Sequence, residues 1–151
     1  MAQIPAQPIT VNKRVGTAIG DNLRAYRRRN RLDQERVAAR MRSLGIPWRQ
    51  VTVSESELGR RNVTVTELVA LTLVLGVNIT ELLNPLLPDQ RGDTLGSLML
   101  GDAPTGFPIL SPYLDAFVCG HRRRLQPATW ADDNSIGSIA FIEVAPEAEQ
   151  S

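Results

Sequence analysis

The sequence predicts a mainly α-helical fold, with a five-helix domain followed by a small α+β appendage made of a short helix and a β-hairpin. Apolar residues recur at helical spacing up to residue 84, and residues that favour helix caps stand at the expected starts. Near the end of the chain, a run of β-branched and aromatic residues favours a strand instead. The 151 residues are 42% hydrophobic and 22% charged, which fits one small globular domain with an appendage.

The first three helices are predicted from apolar spacing and from turn residues. Ile19, Leu23 and Tyr26 form one apolar stripe of a helix over residues 17–30. Asp33 is a favourable N-cap for the second helix, which the Gly- and Pro-containing stretch 43–47 ends. The third helix is predicted over residues 48–58, with Gly59 as its left-handed cap residue.

Two capping boxes predict the last two helices of the domain. In each box, a side chain accepts a hydrogen bond from the backbone N–H three residues later, and a glutamate there bonds back. Thr64 and Glu67 form the first box, and Asn78 and Glu81 form the second. The five helices together predict a domain over residues 17–84, and Pro85 ends the fifth helix.

The remaining segments differ from this domain in composition. Residues 1–16 are expected to be a flexible arm. Residues 85–108, rich in Pro, Gly and Asp, are expected to be a linker with one short ordered piece at 95–100. Residues 109–146 are expected to be a small dimerisation or sensing region, followed by a tail at 147–151. Within that region the sequence favours a helix at 111–120 and hairpin strands at 126–130 and 138–144, joined by turn residues.

The charge of the chain is divided between its two parts. Residues 13–61 hold 13 basic and 5 acidic residues, whereas residues 62–151 hold 4 basic and 11 acidic residues. This division favours a polyanion-binding first part and a solubilising or protein-facing second part. The single cysteine, Cys119, allows no internal disulfide and fits a reducing cytoplasm. Neither a signal peptide nor an apolar run of roughly 18–20 residues is visible, so no membrane span is expected.

Catalytic patterns are absent from the sequence. The chain has one histidine and one cysteine, without a glycine-rich phosphate loop or metal-ligand spacing, so neither an enzyme nor a bound cofactor or metal is expected. His121 with the three arginines that follow it fits either a second phosphate site or a cationic helix end. The tripeptide Arg91-Gly92-Asp93 consists of common residues and indicates nothing by itself.

Residues 19–83 resemble the lambda-repressor-like, Cro/Xre family of helix-turn-helix domains. The resemblance depends on residues 48–71, which match the pattern W-x-Q-x-T-V-S-x-x-E-x-G-x-R-x-V-T-V-x-E-L-x-A-L of an actinobacterial-type subgroup. It covers less than half of the chain. It implies a transcriptional regulator that binds double-stranded DNA in the cytoplasm, at the nucleoid.

The resemblance also implies roles for individual side chains. The third helix would enter the major groove, with base contacts from Arg49, Gln50 and Thr52. Glu55 departs from the family pattern, which often has a cation there; its carboxylate can accept a hydrogen bond from a cytosine amino group but also repels phosphates. Phosphate contacts would come from Gln34, Arg24, Arg28, Arg60 and Arg61. Arg27 and Glu57 would form a structural ion pair between the first and third helices. Trp48, next to Pro47, is expected to anchor the core rather than to stack on a base.

Two classes of function remain open from the sequence. One is a sequence-specific regulator, a repressor that acts as a homodimer on a near-palindromic operator, with an antitoxin or phage immunity repressor as a variant. Its C-terminal region would take a small-molecule or protein effector. The other is a protein-interaction module that keeps the fold but has lost DNA binding. Glu55, Ser56 and the acidic second part of the chain motivate this alternative, because relatives often carry a cation and an apolar residue at the positions of Glu55 and Ser56. Under this alternative, the exposed arginines form a solvent-facing side of a helix and contact no DNA.

Overall fold

The computed structural model describes residues 9–91, 95–101, 107–119, 124–127 and 141–144. These residues form a five-helix domain and a smaller α+β part, which confirms the predicted fold class. The helices are α1 (Val15–Arg29), α2 (Gln34–Ser43), α3 (Gln50–Glu57), α4 (Val65–Leu75), α5 (Ile79–Leu83) and α6 (Ser111–Cys119). The strands are β1 (Ile9–Arg14), β2 (Leu95–Leu100), β3 (Phe107–Leu110), β4 (Arg124–Pro127) and β5 (Phe141–Val144).

The predicted capping residues set the starts of three helices. The Asp33 carboxylate accepts a hydrogen bond from the backbone N–H of the third residue of α2, at 2.7 Å. The Thr64 hydroxyl accepts from the Glu67 N–H at 3.1 Å, and Glu67 accepts from the Thr64 N–H at 3.0 Å. Asn78 and Glu81 exchange the same two bonds at 2.8 Å each. Both capping boxes are therefore confirmed.

One apolar core holds the five helices together. The Trp48 side chain closes it at the start of α3, and the residue is 2% exposed, as expected for a core anchor. Burial of large apolar side chains is the main favourable contribution to folding of such a domain. The core residues are Leu23, Tyr26, Leu32, Val37, Ala38, Met41, Trp48, Val53, Ala70, Leu71, Val74, Leu75 and Leu82.

The predicted flexible arm over residues 1–16 is wrong for its second half. Residues 9–14 form β1, which runs directly into α1 and pairs in parallel with β2, with Lys13 opposite Leu98. The Ser97 hydroxyl donates a hydrogen bond to Asn12 Oδ1 at 2.8 Å across this pair. Residues 1–8 lie outside the described part of the chain. A parallel partner far along the sequence supplies the backbone hydrogen bonds that the local sequence does not.

Within the predicted linker over residues 85–108, the ordered piece expected at residues 95–100 is strand β2. This strand is the centre of a three-stranded sheet, parallel to β1 and antiparallel to β3. Leu98 packs with Ala18 of α1 and Leu114 of α6 in a second apolar cluster. Pro85 and Leu86 pack so closely on Gly96 that an added Cβ atom would lie 2.9 Å from Leu86. The C-terminal part is thus joined to the helical domain by packing.

The C-terminal elements follow the sequence expectation in outline. Helix α6 covers Ser111–Cys119, close to the predicted 111–120. Strands β4 and β5 pair in antiparallel fashion, with Arg124 opposite Val144, so the predicted hairpin strands do meet. Strand β4 begins two residues before the predicted start at 126, and β5 begins three residues after the predicted start at 138. The predicted turn at 132–135 lies outside the described residues.

Candidate nucleic-acid interface

Helix α3 is fixed by its contact with α1. Its buried residues are Val53, Ser56 and Glu57, and the side of α1 that faces them carries Gly20. An ideal Cβ atom at Gly20 would lie 2.4 Å from the Ser56 carbonyl oxygen and 2.8 Å from that of Glu57. Only glycine allows the two backbones to approach this closely. The distance and angle of α3 relative to α1 therefore depend on the absence of a side chain at Gly20.

The opposite side of α3 faces solvent. Successive residues of an α-helix are rotated by about 100°, so residues 51, 55 and 58 fall in one line. This line lies opposite the buried residues Val53, Ser56 and Glu57. Val51 and Leu58 are 61% and 55% exposed, and the Glu55 side chain is 40% exposed. Gln50 and Thr52 lie on the two flanks of this exposed face.

The predicted base-contacting residues do not share one environment. Arg49, the N-cap residue, and Gln50, the first helical residue, are both exposed. The Thr52 hydroxyl is half-buried and accepts a hydrogen bond from the Arg49 N–H at 3.2 Å, so it stabilises the helix start. Glu55 lies 3.9 Å from Arg60, at a distance where the two exposed charges interact weakly. The free polar side chains at the tip of α3 are thus Arg49 and Gln50.

The predicted ion pair between α1 and α3 is present. Arg27 donates to both carboxylate oxygens of Glu57, through Nε to Oε1 and through Nη2 to Oε2 at 3.2 Å. A third nitrogen of the same guanidinium donates to the Leu32 carbonyl at 3.1 Å. Gln34 Nε2 also donates to Glu57 Oε2, at 3.0 Å. Since one Gln34 N–H serves this network, only its second N–H remains for the predicted phosphate contact.

A second polar cluster, centred on Glu67 of α4, fixes the start of α3. The buried carboxylate of Glu67 accepts hydrogen bonds from the Trp48 indole, the Arg61 guanidinium and the Thr64 N–H. Burial alone would raise the pKa of Glu67, but these bonds, led by the one from the Thr64 backbone, lower the pKa below its ordinary value of 4.5. Glu67 therefore remains ionised, and it links α4 to Trp48, which anchors the start of α3.

Arg61 does not fit the predicted phosphate contact. Its Nη2 lies 2.9 Å from Glu67 Oε2, and its guanidinium carbon lies 5.2 Å from the centre of the Trp48 ring. Nη1 also donates to the Ser56 hydroxyl at 3.3 Å. The planar cation is held by a carboxylate, an aromatic face and a hydroxyl, so its role is structural. Arg60, in contrast, is exposed and available.

Arginines of α1 border the exposed face of α3. Arg24 and Arg28 are exposed, and neither guanidinium forms an ion pair or hydrogen bond with any residue that the structure describes. Both line a cleft of about 280 Å³ between α1 and α3, together with Gln34, Ser54 and Leu58. Two free cations thus lie next to the side of α3 that faces solvent. This arrangement suits a polyanion that lies along the exposed face.

Sequence reasoning missed two residues that hold the site in place. Arg91 donates to the Tyr26 hydroxyl at 3.0 Å and to the Glu81 carbonyl at 3.2 Å, so the end of the helical domain is bound to α1. The buried Asn22 amide donates to the Leu82 and Asn84 carbonyls at 2.9 and 2.7 Å. A polar residue on the apolar side of α1 was the available signal for Asn22. The sequence around Arg91 contains no comparable signal.

Helices α2 and α3, joined by residues 44–49 and supported by the other three helices, define a helix-turn-helix protein. The solved DNA-binding domain of BldD is similar to this chain, with 33% identity over 46% of this chain and 93% of that one, at a TM-score of 0.39. No protein-family model and no curated protein matches the chain. Among the described residues, no helix is long and apolar enough to cross a membrane.

Proposed function

We propose that the protein is a sequence-specific DNA-binding transcriptional regulator, in which α3 enters the major groove. The observation that carries the proposal is the solvent-facing side of α3 with the unpaired cations of α1 beside it. Arg49 and Gln50 extend from the tip of α3, where guanine and adenine edges offer matching hydrogen-bond partners. The similarity of the chain to a DNA-binding domain agrees with this assignment.

The cations of α1 are assigned to the DNA backbone. Arg24 and Arg28 flank the cleft beside Ser54 and Leu58, so a phosphate strand along the groove edge would pass over them. Each neutralised phosphate releases condensed counterions, which makes the affinity depend on salt. Arg60, exposed after α3, would contact the backbone from the other end of the helix.

A salt titration tests this assignment. Fluorescence anisotropy of labelled duplexes should show binding that weakens as salt rises. Arg24→Gln and Arg28→Gln should each reduce the slope of log affinity against log salt by about 0.9, and neither should change the preferred sequence. Arg29→Gln is the matched control, because Arg29 is an exposed arginine in the last turn of α1 that does not line the cleft beside α3.

We also propose a homodimer that acts as a repressor on a near-palindromic operator. One recognition helix covers a single short half-site, and two copies related by a twofold axis double the specific contacts. An operator that overlaps a promoter would then be closed to polymerase. Sedimentation of the full chain, free and bound to the selected site, measures the stoichiometry, and a promoter-reporter assay measures the direction of regulation.

One observation favours the alternative of a protein-interaction module. Glu55 occupies the centre of the exposed face of α3, where a carboxylate repels phosphates, and Leu58 next to it is apolar. The same salt titration separates the two functions. Binding to DNA that is absent, or that does not change with salt, would support the interaction module and would contradict the regulator.

A further inference from the structure

We propose that Val51 contacts the 5-methyl group of a thymine in the major groove and so makes thymine a preferred base of the operator. The inference rests on the proposed DNA-binding function, and it concerns a residue to which the sequence pattern assigned no role. It follows from the position of Val51 on α3 and from the chemistry of its side chain.

Val51 is the residue of α3 that points most directly away from the core. Its direction is opposite to that of Val53, Ser56 and Glu57, which pack toward α1 and the other helices. It also lies in the first turn of α3, next to the exposed Gln50. A helix that enters the groove with this turn foremost therefore brings Val51 to the base edges between its polar neighbours.

The side chain of Val51 limits the group it can recognise. Valine neither donates nor accepts a hydrogen bond, and the only apolar group on the major-groove edge of a base pair is the thymine methyl. Its branched Cβ atom holds χ1 in one preferred rotamer in a helix, so little side-chain freedom is lost on contact. A short, rigid and apolar side chain at this point fits a methyl group.

The surroundings of Val51 argue against an apolar docking surface for another protein. Leu58, the next apolar residue on the same line of α3, is separated from Val51 by the carboxylate of Glu55. The larger exposed apolar stripe of the domain, Val65, Val69 and Leu73, belongs to α4. A lone apolar residue among polar ones suits the mixed edge of a base pair better than a continuous apolar interface.

The register of the two central residues predicts a feature of the operator. Glu55 follows Val51 by four residues, slightly more than one turn, which is a rise of about 6 Å along α3. Base pairs are spaced by about 3.4 Å, so the two side chains would meet positions one or two base pairs apart. A carboxylate accepts a hydrogen bond from the cytosine amino group. The preferred site should therefore hold a thymine with a cytosine one or two positions away.

The test is a double-mutant cycle between the protein and the DNA. Full-length protein first selects its site from a random duplex pool, and each thymine of that site is then replaced by uracil, which lacks only the methyl group. At one position, uracil should weaken wild-type binding about threefold to fivefold, the effect of one lost methyl contact. The Val51→Ala variant, whose single methyl group reaches less far, should show a smaller difference between the thymine and uracil sites than the wild type.

Val69→Ala is the matched control, since Val69 is an exposed valine on α4 and should leave the response to uracil unchanged. Circular dichroism checks that both variants fold. Selective binding in which no uracil replacement matters, or in which Val51→Ala keeps the full response, would overturn the inference and leave the proposed function intact. Failure of the wild-type protein to select any sequence would instead overturn the proposed function, and this inference with it.

Discussion

Replacing Gly20 with alanine tests the contact that positions the recognition helix. The added Cβ atom would lie 2.4 and 2.8 Å from two carbonyl oxygens of the last turn of α3, and 3.1 Å from the Glu57 carbonyl carbon. These atoms belong to the backbone, so no side chain can rotate away. Helices α1 and α3 must separate, and the structure must absorb an overpacking cost of about 1–3 kcal/mol or more.

Helix propensity acts in the opposite direction. Alanine in a helix interior is favoured over glycine by about 1 kcal/mol, but the backbone clash is larger. The free energy of unfolding of Gly20→Ala should therefore fall by up to about 2 kcal/mol. Gly16→Ala in the same helix is the control. Apart from the chain neighbours and the helix's own backbone, no heavy atom lies within 4 Å of the Cβ atom added there, so this variant should be as stable as the wild type or more stable.

Urea denaturation followed by far-UV circular dichroism measures both variants. DNA affinity of Gly20→Ala, measured at a temperature where it is folded, should fall as well, because α3 has moved relative to the cations of α1. A Gly20→Ala protein as stable as Gly16→Ala would refute the close approach of the two helices.

Three further outcomes are expected. The pKa of Glu67 is lowered in the folded protein, so its stabilising effect is present above pH 4.5 and is lost as the pH falls through the folded pKa. Glu67→Gln should therefore lose less stability than the wild type below pH 4.5. Equal losses for the two proteins in urea titrations would contradict this. Arg27→Ala leaves Glu57 buried without its partner and should lower the free energy of unfolding by about 3–5 kcal/mol, whereas an unchanged urea midpoint would show that the pair is dispensable. Truncation after Arg91 removes β2, β3 and α6 and uncovers Ala18, so the melting temperature should fall; an unchanged melting temperature would show that the C-terminal part is independent.

The local parts of the fold could be predicted because their causes are local. The Thr64 and Asn78 capping boxes lie within four residues, and the apolar stripe of α1 repeats with the helix period. Strand β1 could not be predicted in this way, since Ile9 pairs with Leu95, a partner that only the folded chain brings near. Residues 9–14 appear as an arm when their sequence is considered alone.

The residues of the candidate site divide in a similar way, into those that the sequence predicts and those whose position only the folded chain shows. The ion pair of Arg27 and Glu57 followed from the family pattern, and the structure contains it. Arg61 was predicted to contact a phosphate, yet Glu67 and the Trp48 ring hold its guanidinium inward. The position of Val51 at the centre of the exposed face depends on which side of α3 is buried. That side is decided by the packing of Gly20, which sequence reasoning did not consider.

The most direct test of the account is the effect of Gln50→Ala on sequence selection by the full-length protein. Gln50 is exposed at the first position of α3, so its substitution should leave the fold unchanged. If α3 lies in the major groove, the variant should lose its base preference at one position of the selected site, and its affinity for that site should fall by about 1–3 kcal/mol. An unchanged preference at every position, together with unchanged affinity, would contradict the assignment of α3 as the recognition helix.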